Sequence, residues 1–323
     1  MKFIVLFLFS ISFQTAGAHD DHDWRLDKAA FASVSVDTKN YVPAGQEIHL
    51  NQVFSRALPA VVQEAEFKFK LEELTGVREI TLGGKPFKIT DRGSAAGREL
   101  ARQSLAQEYR SLGFQVFQHA YNGGANFIAE KPGTSGKVLI VSSHMDSVFN
   151  AGADDDGTGT IAALLIAKAL KDVKNKHTLR ILAFDNEEQG LVGSRAFVAT
   201  LKGADIIGDI QVEMMGVNSK KDGKFHVIDC DRADSTFITA AIMQAVQSMN
   251  LPLTRVKACT DRSDHGSFWA KSMPAVVLSE NFFGGDGDPC YHKKCDVVDA
   301  RLDLKYSSLI ATAVAGAAAK LIQ

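Results

Sequence analysis

Residues suited to metal binding are concentrated in one stretch of the chain, from His144 to Gly159. His144 and Asp146 follow the apolar run 138–141, which predicts a β-strand. Alternate side chains of a strand point to the same face, so these two side chains should leave its end on one side. A carboxylate so placed can orient a metal-binding histidine. The pair is therefore a candidate part of a metal site.

Three consecutive aspartates, Asp154, Asp155 and Asp156, follow in a glycine-rich turn before a helical pattern. Adjacent carboxylates repel one another, so a turn that directs one or more of them inward needs a cation to offset the repulsion. A solvated acidic loop is the alternative. The triplet alone leaves both interpretations open.

A pair of glutamates, Glu187 and Glu188, follows a second apolar run, 178–184. One such glutamate can bind a metal ion, while its neighbour takes a proton from the metal's water and delivers it to a leaving group. This division of roles suits hydrolysis. Most glutamate pairs are solvated helix starts, so the pair is informative only in combination with the other candidate residues.

The order of the elements predicts an α/β fold with a mixed, mostly parallel central sheet sandwiched by helices. A helix is predicted after Asp91-Arg92-Gly93-Ser94 and should end at Gly113. Strands are predicted at 114–120, 126–129, 137–143, 178–184, 210–214, 225–228 and 275–278, and helices at 54–74, 158–170, 234–249 and 303–321. Active-site loops of such folds lie at the carboxyl ends of the strands, where the acidic residues fall.

The first 18 residues predict a signal peptide, with Lys2, an apolar run at 3–13 and Ala16-Gly17-Ala18 before the cleavage point. No later stretch approaches about 20 uninterrupted apolar residues, so no membrane segment is expected after cleavage. The protein should be secreted or periplasmic. Residues 19–75 are interpreted as an N-terminal extension or cap, and 76–323 as the catalytic domain.

The composition of the 323-residue chain, with 46% hydrophobic residues and a formal net charge of -2, predicts a large buried core. It lacks the basic surplus that binds nucleic acid, so no nucleic-acid partner is expected. The sequence does not indicate the oligomeric state.

The four cysteines should be oxidised in an exported protein, and three pairings are possible. The favoured pairing joins Cys290 to Cys295, around His292, and Cys230 to Cys259. A thiolate zinc site at Cys290 and Cys295 is disfavoured, because a second close pair of ligands is missing.

Together the motifs resemble the zinc-dependent exopeptidases that include bacterial leucyl aminopeptidases, glutamate carboxypeptidase II and the glutaminyl cyclases. The resemblance covers about residues 90–323. The segments that carry it are 143–147, 152–159, 184–194, 263–268, and Tyr291-His292 followed by Asp296. It implies the zinc aminopeptidase/phosphorylase-like fold, and a zinc peptidase domain at 76–323 that acts on peptides with a free N-terminus.

The resemblance also implies two zinc ions held by five ligands: His144, Asp155, Glu188, Glu213 and His292. Asp155 would bridge the ions and precede a cis peptide bond. The first zinc would also take His144 and Glu213, and the second Glu188 and His292. Two zinc ions about 3.5–4 Å apart need a bridging carboxylate to screen their repulsion. Each zinc keeps the open position that catalytic sites need.

Other positions are assigned by the same resemblance. Glu187 would be the general base and acid, and Asp146 would orient His144. Asp156 and His265 would support the ligands without binding metal.

Three positions bear on substrate. Glu213 stands where leucyl aminopeptidases have aspartate and related carboxypeptidases have glutamate. Thr260 is the apparent counterpart of the tyrosine that stabilises the tetrahedral intermediate in leucyl aminopeptidases, and Tyr291 is the candidate to replace that tyrosine.

A secreted zinc aminopeptidase is the leading interpretation. A glutaminyl cyclase with a single zinc is the first alternative. A carboxypeptidase would need a cation for the substrate's terminal carboxylate, for which Arg262 is a candidate. A non-catalytic binding ectodomain is disfavoured because every ligand position is retained.

Overall fold

The computed structural model describes residues 59–323. The predicted signal peptide, residues 19–58 of the predicted extension and the start of the helix predicted at 54–74 lie outside the described residues. The described helices are α1 (Glu64–Leu74), α2 (Ala95–Ser111), α3 (Gly159–Leu170), α4 (Val192–Val198), α5 (Thr236–Ser248), α6 (His265–Trp269) and α7 (Leu304–Leu321). The strands are β1 (Ile80–Leu82), β2 (Lys85–Phe87), β3 (Gln115–Tyr121), β4 (Gly124–Lys131), β5 (Val138–His144), β6 (Thr178–Phe184), β7 (Ile206–Val212), β8 (Lys224–Ile228), β9 (Thr254–Val256) and β10 (Ala275–Glu280).

Eight strands form one mixed sheet in the order β3-β4-β6-β5-β7-β10-β8-β9, and β1 and β2 form a separate hairpin. The central strands β6, β5, β7 and β10 run parallel to one another. The pairs β3–β4, β4–β6 and β8–β10 are antiparallel, and β8–β9 is parallel. The predicted mixed α/β fold is confirmed.

Helices cover both faces of the sheet. The larger apolar core includes residues of α1, α2, α3, α5 and α7, and a smaller core on the other face includes residues of α4 and α6. Helix α3 is apolar around most of its circumference because it packs against both the sheet and α7. Among the described helices, none is long and apolar enough to cross a lipid bilayer.

The candidate site lies where three neighbouring parallel strands end. Strand β5 ends at His144, which is paired in register with Phe184, the last residue of β6. Strand β7, on the other side of β5, ends directly before Glu213. The sheet therefore brings the segments after β5, β6 and β7 to one edge, as α/β folds do with their sites.

Some elements differ from their predicted limits. Strand β7 begins at Ile206, four residues before the predicted start at 210. Gly208 and Asp209 interrupt its apolar pattern, but one oxygen of the buried Asp209 carboxylate accepts a hydrogen bond from the Ser142 hydroxyl inside the sheet, at 3.0 Å. The hairpin β1–β2, strand β9 and helices α4 and α6 were missed, because three to seven residues are too few to show a period.

Helix α1 falls within the segment 19–75 that was interpreted as an extension or cap. Its side chains Phe67 and Leu71 are fully buried in the same core as α3 and α7. Just before it, the Val62 amide donates a hydrogen bond to the Thr312 hydroxyl of α7, at 3.1 Å. The described end of this segment is thus part of the main core, while the assignment of 19–58 stays a prediction.

Replacing Leu71 by alanine should lower the free energy of unfolding by about 2–5 kcal/mol, because it leaves a cavity in a closed part of the core. Chemical denaturation measures the change. Phe69→Ala is the control on the same helix, since Phe69 is 44% exposed and should cost far less. Equal losses for the two variants would contradict the packing of α1 into the core.

Candidate metal centre

The carboxylate of Asp155 lies between two histidines. Its Oδ1 is 3.2 Å from His144 Nε2, and its Oδ2 is 3.3 Å from His292 Nε2. His292 Nε2 is also 3.1 Å from Glu188 Oε2. Ligand atoms of His144, Asp155 and Glu188 all lie within 4.8 Å of one another, as in a metal-binding group. The two oxygens of Asp155 therefore face two different histidines, which is the arrangement of a bridging ligand.

The two histidines differ in their access to solvent. The His144 side chain is 1% exposed, at the end of a central strand, whereas that of His292 is 35% exposed, in the loop before α7. The ring of Tyr291 stacks on the His292 imidazole with a centroid distance of 3.8 Å. Tyr291, the substitute candidate for the stabilising tyrosine, thus lies directly against a predicted ligand.

The neighbouring aspartate, Asp156, follows a cis peptide bond, as the resemblance implies. Its carboxylate accepts hydrogen bonds from the amides of His144 (3.1 Å), Gly159 (2.9 Å) and Met214 (3.1 Å). Position 159 needs glycine, because a Cβ atom there would lie 2.2 Å from the Val212 carbonyl oxygen. Asp156 thus joins the end of β5, the start of α3 and the segment after β7.

Asp146 contacts His144, as predicted, and also the loop that carries Glu187 and Glu188. Its Oδ1 lies 3.5 Å from His144 Nδ1, at the long end for an ion pair. The same carboxylate accepts hydrogen bonds from the amides of Glu187 (3.1 Å) and Glu188 (3.2 Å). The loop after β6 is therefore attached to the end of β5 through Asp146.

Glu213 lies beside this group rather than in contact with Asp155. Its carboxylate accepts hydrogen bonds from the Ser263 hydroxyl and from Gln211 Nε2, the latter at 2.6 Å. Its charge is close enough to raise the pKa of the Glu187 carboxyl, although burial is the larger cause. Glu213 therefore shares the electrostatic field of the site and is held in place by two polar neighbours.

His265 is fully buried, and both of its ring nitrogens have oxygen neighbours. Nε2 is 2.9 Å from the Thr260 carbonyl oxygen, and Nδ1 is 3.3 Å from Gln211 Oε1. Burial lowers the pKa of His265 to about 4. An oxygen atom thus lies against each ring nitrogen, and the supporting role of His265 stays a prediction.

The donor set fits a cation. The buried carboxylate oxygens Asp155 Oδ2 and Glu188 Oε1 have no hydrogen-bond partner within the protein. Burial and the charge of Asp155 raise the pKa of Glu188 to about 7, and burial raises that of Glu187 well above its ordinary value. Buried carboxylates with unpaired oxygens are stabilised by a bound cation, and mixed histidine and carboxylate ligands suit zinc.

Both histidines favour protonation in these surroundings. Burial opposes the charged form of each, but the surrounding carboxylates outweigh it. They raise the pKa of His144 well above its ordinary value and that of His292 to about 10. The same two histidines hold the pKa of Asp155 below its ordinary value, against the effect of its burial.

Arg92 is a supporting residue that the sequence analysis missed. Its guanidinium is fully buried and donates hydrogen bonds to the carbonyls of Met145 (2.8 Å), Ala151 and Gly152 (2.7 Å). The loop between His144 and the aspartates thus surrounds the Arg92 guanidinium. No sequence pattern predicts these contacts of Arg92, because the acceptors are backbone groups more than 50 positions away.

The two disulfides are the favoured ones, Cys230–Cys259 and Cys290–Cys295. The second closes a short loop that contains His292. No free cysteine remains among the described residues, which argues against a thiolate zinc site.

Of the residues predicted to bear on substrate, Arg262 is exposed and Thr260 is half-buried.

Comparisons with known proteins agree with this geometry. The sequence profile of Peptidase family M28 matches residues 126–318. Aminopeptidase YwaD from Bacillus subtilis is 30% identical over 176 residues, 50% of this chain and 36% of that protein. The chain spans about half of the length of the curated relatives it matches, or less.

Two solved structures share the fold. The LapA aminopeptidase of Legionella pneumophila is 17% identical, with a TM-score of 0.68, over 84% of this chain and 79% of that chain. A glutaminyl cyclase from Bacteroides thetaiotaomicron is 15% identical, with a TM-score of 0.66, over 82% of this chain and 98% of that chain. At these identities the likeness concerns the fold alone.

Zinc binding should release protons at pH 7. The raised pKa values keep His144 and His292 largely protonated at this pH, and a histidine nitrogen must lose its proton to bind a metal. The apparent affinity should therefore rise with pH, up to about 10 for the His292 contribution. Calorimetric titration in two buffers of different ionisation enthalpy measures the number of protons released.

His292→Ala should release fewer protons than the wild type, whereas His177→Ala should release the same number. His177 is the matched control because it contacts Ser135 and no residue of the site. A heat of binding that does not depend on the buffer would contradict the protonated state of both histidines.

Proposed function

Because the chain belongs to peptidase family M28, we propose that it is a secreted aminopeptidase that uses two zinc ions to remove N-terminal residues from peptides. The observation that carries this proposal is the carboxylate of Asp155, with one oxygen facing His144 and the other facing His292. The aminopeptidase named among its relatives supports the same activity.

In this proposal the residues would provide two metal positions that share Asp155. His144 and Glu213 would complete the inner position, and Glu188 and His292 the outer one. When bound, zinc supplies a Lewis acid that polarises the scissile carbonyl and lowers the pKa of a water molecule toward neutrality. Glu213 would bind from the end of β7, where Ser263 and Gln211 hold its carboxylate beside the group.

Glu187 is the proposed general base. It follows the end of β6 closely, and its backbone amide donates a hydrogen bond to Asp146. Burial raises the pKa of its carboxyl group, so this group holds a proton taken from water more tightly than an exposed glutamate would. It can then deliver that proton to the amine that leaves.

Glu187→Gln should lower kcat on aminoacyl-nitroanilides by about 10²–10⁴-fold, because the amide cannot accept a proton. Its zinc content and its unfolding temperature should stay close to those of the wild type. Glu79→Gln, at an exposed glutamate, is the matched control and should retain full activity. Unchanged turnover in Glu187→Gln would remove Glu187 from the mechanism.

A glutaminyl cyclase is the second candidate, and its support is the shared fold. A carboxypeptidase is the third, since the exposed Arg262 could meet a terminal carboxylate. A non-catalytic ectodomain is opposed by the convergence of His144, Asp155 and Glu188 on one metal-binding group.

A small substrate panel separates these activities. Peptides with a free N-terminus should be shortened from that end, because an aminopeptidase must recognise the amine. N-acetylated copies of the same peptides should remain intact, and peptides that begin with glutamine should yield free glutamine rather than pyroglutamate. Mass spectrometry identifies the products. Cleavage of the acetylated peptides from the carboxyl end would favour a carboxypeptidase.

Secretion is part of the proposal. Its support is the predicted signal peptide at 1–18 together with the two disulfides, which form in oxidising compartments. We also retain 19–58 as an extension to the zinc peptidase domain. Peptides are the proposed partners, and neither nucleic acid nor a membrane is needed for the activity.

A further inference from the structure

The loop that carries His292 is joined to the loop that carries Asp155. Asn150 Nδ2 donates a hydrogen bond to the Lys293 carbonyl, at 2.9 Å. Three more bonds involve Asp296: its carbonyl accepts the Ala153 amide at 3.3 Å, and its carboxylate accepts the amides of Asp154 (2.8 Å) and Asp155 (3.1 Å). The two loops are therefore connected at both ends of the segment 150–155.

Asp296 makes the most specific of these connections. It is fully buried, and each of its carboxylate oxygens accepts one backbone amide hydrogen. Arg301 Nη2 lies 3.9 Å from Asp296 Oδ1. The same nitrogen donates hydrogen bonds to the backbone carbonyls on either side of Asp296, those of Cys295 and Val297, both at 3.1 Å. The carboxylate is thus anchored at its own backbone and reaches across to the backbone of Asp155.

We propose that Asp296 is a positioning residue that sets the separation of Asp155 and His292 and thereby the affinity of the metal position that these two residues share. This inference rests on the proposed two-zinc aminopeptidase. Asparagine cannot replace the aspartate, since its amide group would direct N–H toward one of the two amide donors. The pair of bonds would become one, and the Asp155 backbone would be less firmly held.

The test compares Asp296→Asn with Asp299→Asn by equilibrium dialysis against zinc. Asp299 is the matched control because it lies in the same segment and also faces Arg301, but its side chain is 45% exposed and touches no residue of the site. Partners behind metal ligands typically change affinity by about 10–100-fold when replaced. We expect a loss of that size in the binding step of the position that contains His292 in Asp296→Asn, a smaller loss in the other step because Asp155 belongs to both positions, and no change in Asp299→Asn.

The unfolding temperature of the zinc-free variants separates positioning from general destabilisation. Equal zinc affinities in both variants, or an equal loss in both binding steps of Asp296→Asn, would overturn the proposal. If Asp296→Asn does not fold, Asp296→Glu replaces it, since the longer side chain keeps the charge but cannot place both oxygens against the same two amides. It should weaken the same step to a smaller extent, and unchanged binding would overturn the proposal.

A failure of the proposed function gives a different result. A wild-type protein that binds one zinc, or that does not hydrolyse free-amine peptides, would contradict the two-zinc aminopeptidase. The role of Asp296 would then be judged on the single ion, because Asp155 belongs to both metal positions. Unaltered affinity for that ion in Asp296→Asn would reject the positioning role separately.

Discussion

One buried carboxylate, that of Asp155, faces two histidines that come from distant parts of the chain, and the rest of the site depends on this contact. His144 ends a central strand, whereas His292 lies in a loop almost 150 positions later. Bringing such groups together concentrates acidic side chains in a buried space. This cost is offset by the positive charge of the protonated histidines or, in the proposed enzyme, by zinc, which replaces their protons.

Three aspartates around this contact hold neighbouring segments together through backbone hydrogen bonds. Asp146, Asp156 and Asp296 each accept backbone amide hydrogens from segments that carry a predicted ligand or base. A carboxylate can accept several such bonds at once, so one side chain fixes two or three segments. These three aspartates therefore hold loops together, a role that differs from the one predicted for the metal ligands.

The sequence predicted the parts of this site that lie next to regular elements. The apolar runs before His144 and Glu187 indicated strands whose ends meet, because strand patterns are local. Glu213 and His292 entered only through the family resemblance, since nothing nearby marks them as ligands. Arg92 was missed because its partners are backbone carbonyls, which have no sequence signature. Long-range contacts of this kind are determined by packing and cannot be read from spacing.

The unequal exposure of the two histidines has a consequence for the kinetics of metal exchange. The His144 side chain is buried at the end of the sheet, whereas the His292 side chain is partly exposed to solvent. In the proposed two-zinc enzyme, an ion entering from solvent would meet the outer position, which contains His292, before the inner position, which contains His144. Loading and extraction would thus be ordered, so brief treatment with a chelator should give a half-loaded protein whose remaining ion is the inner one.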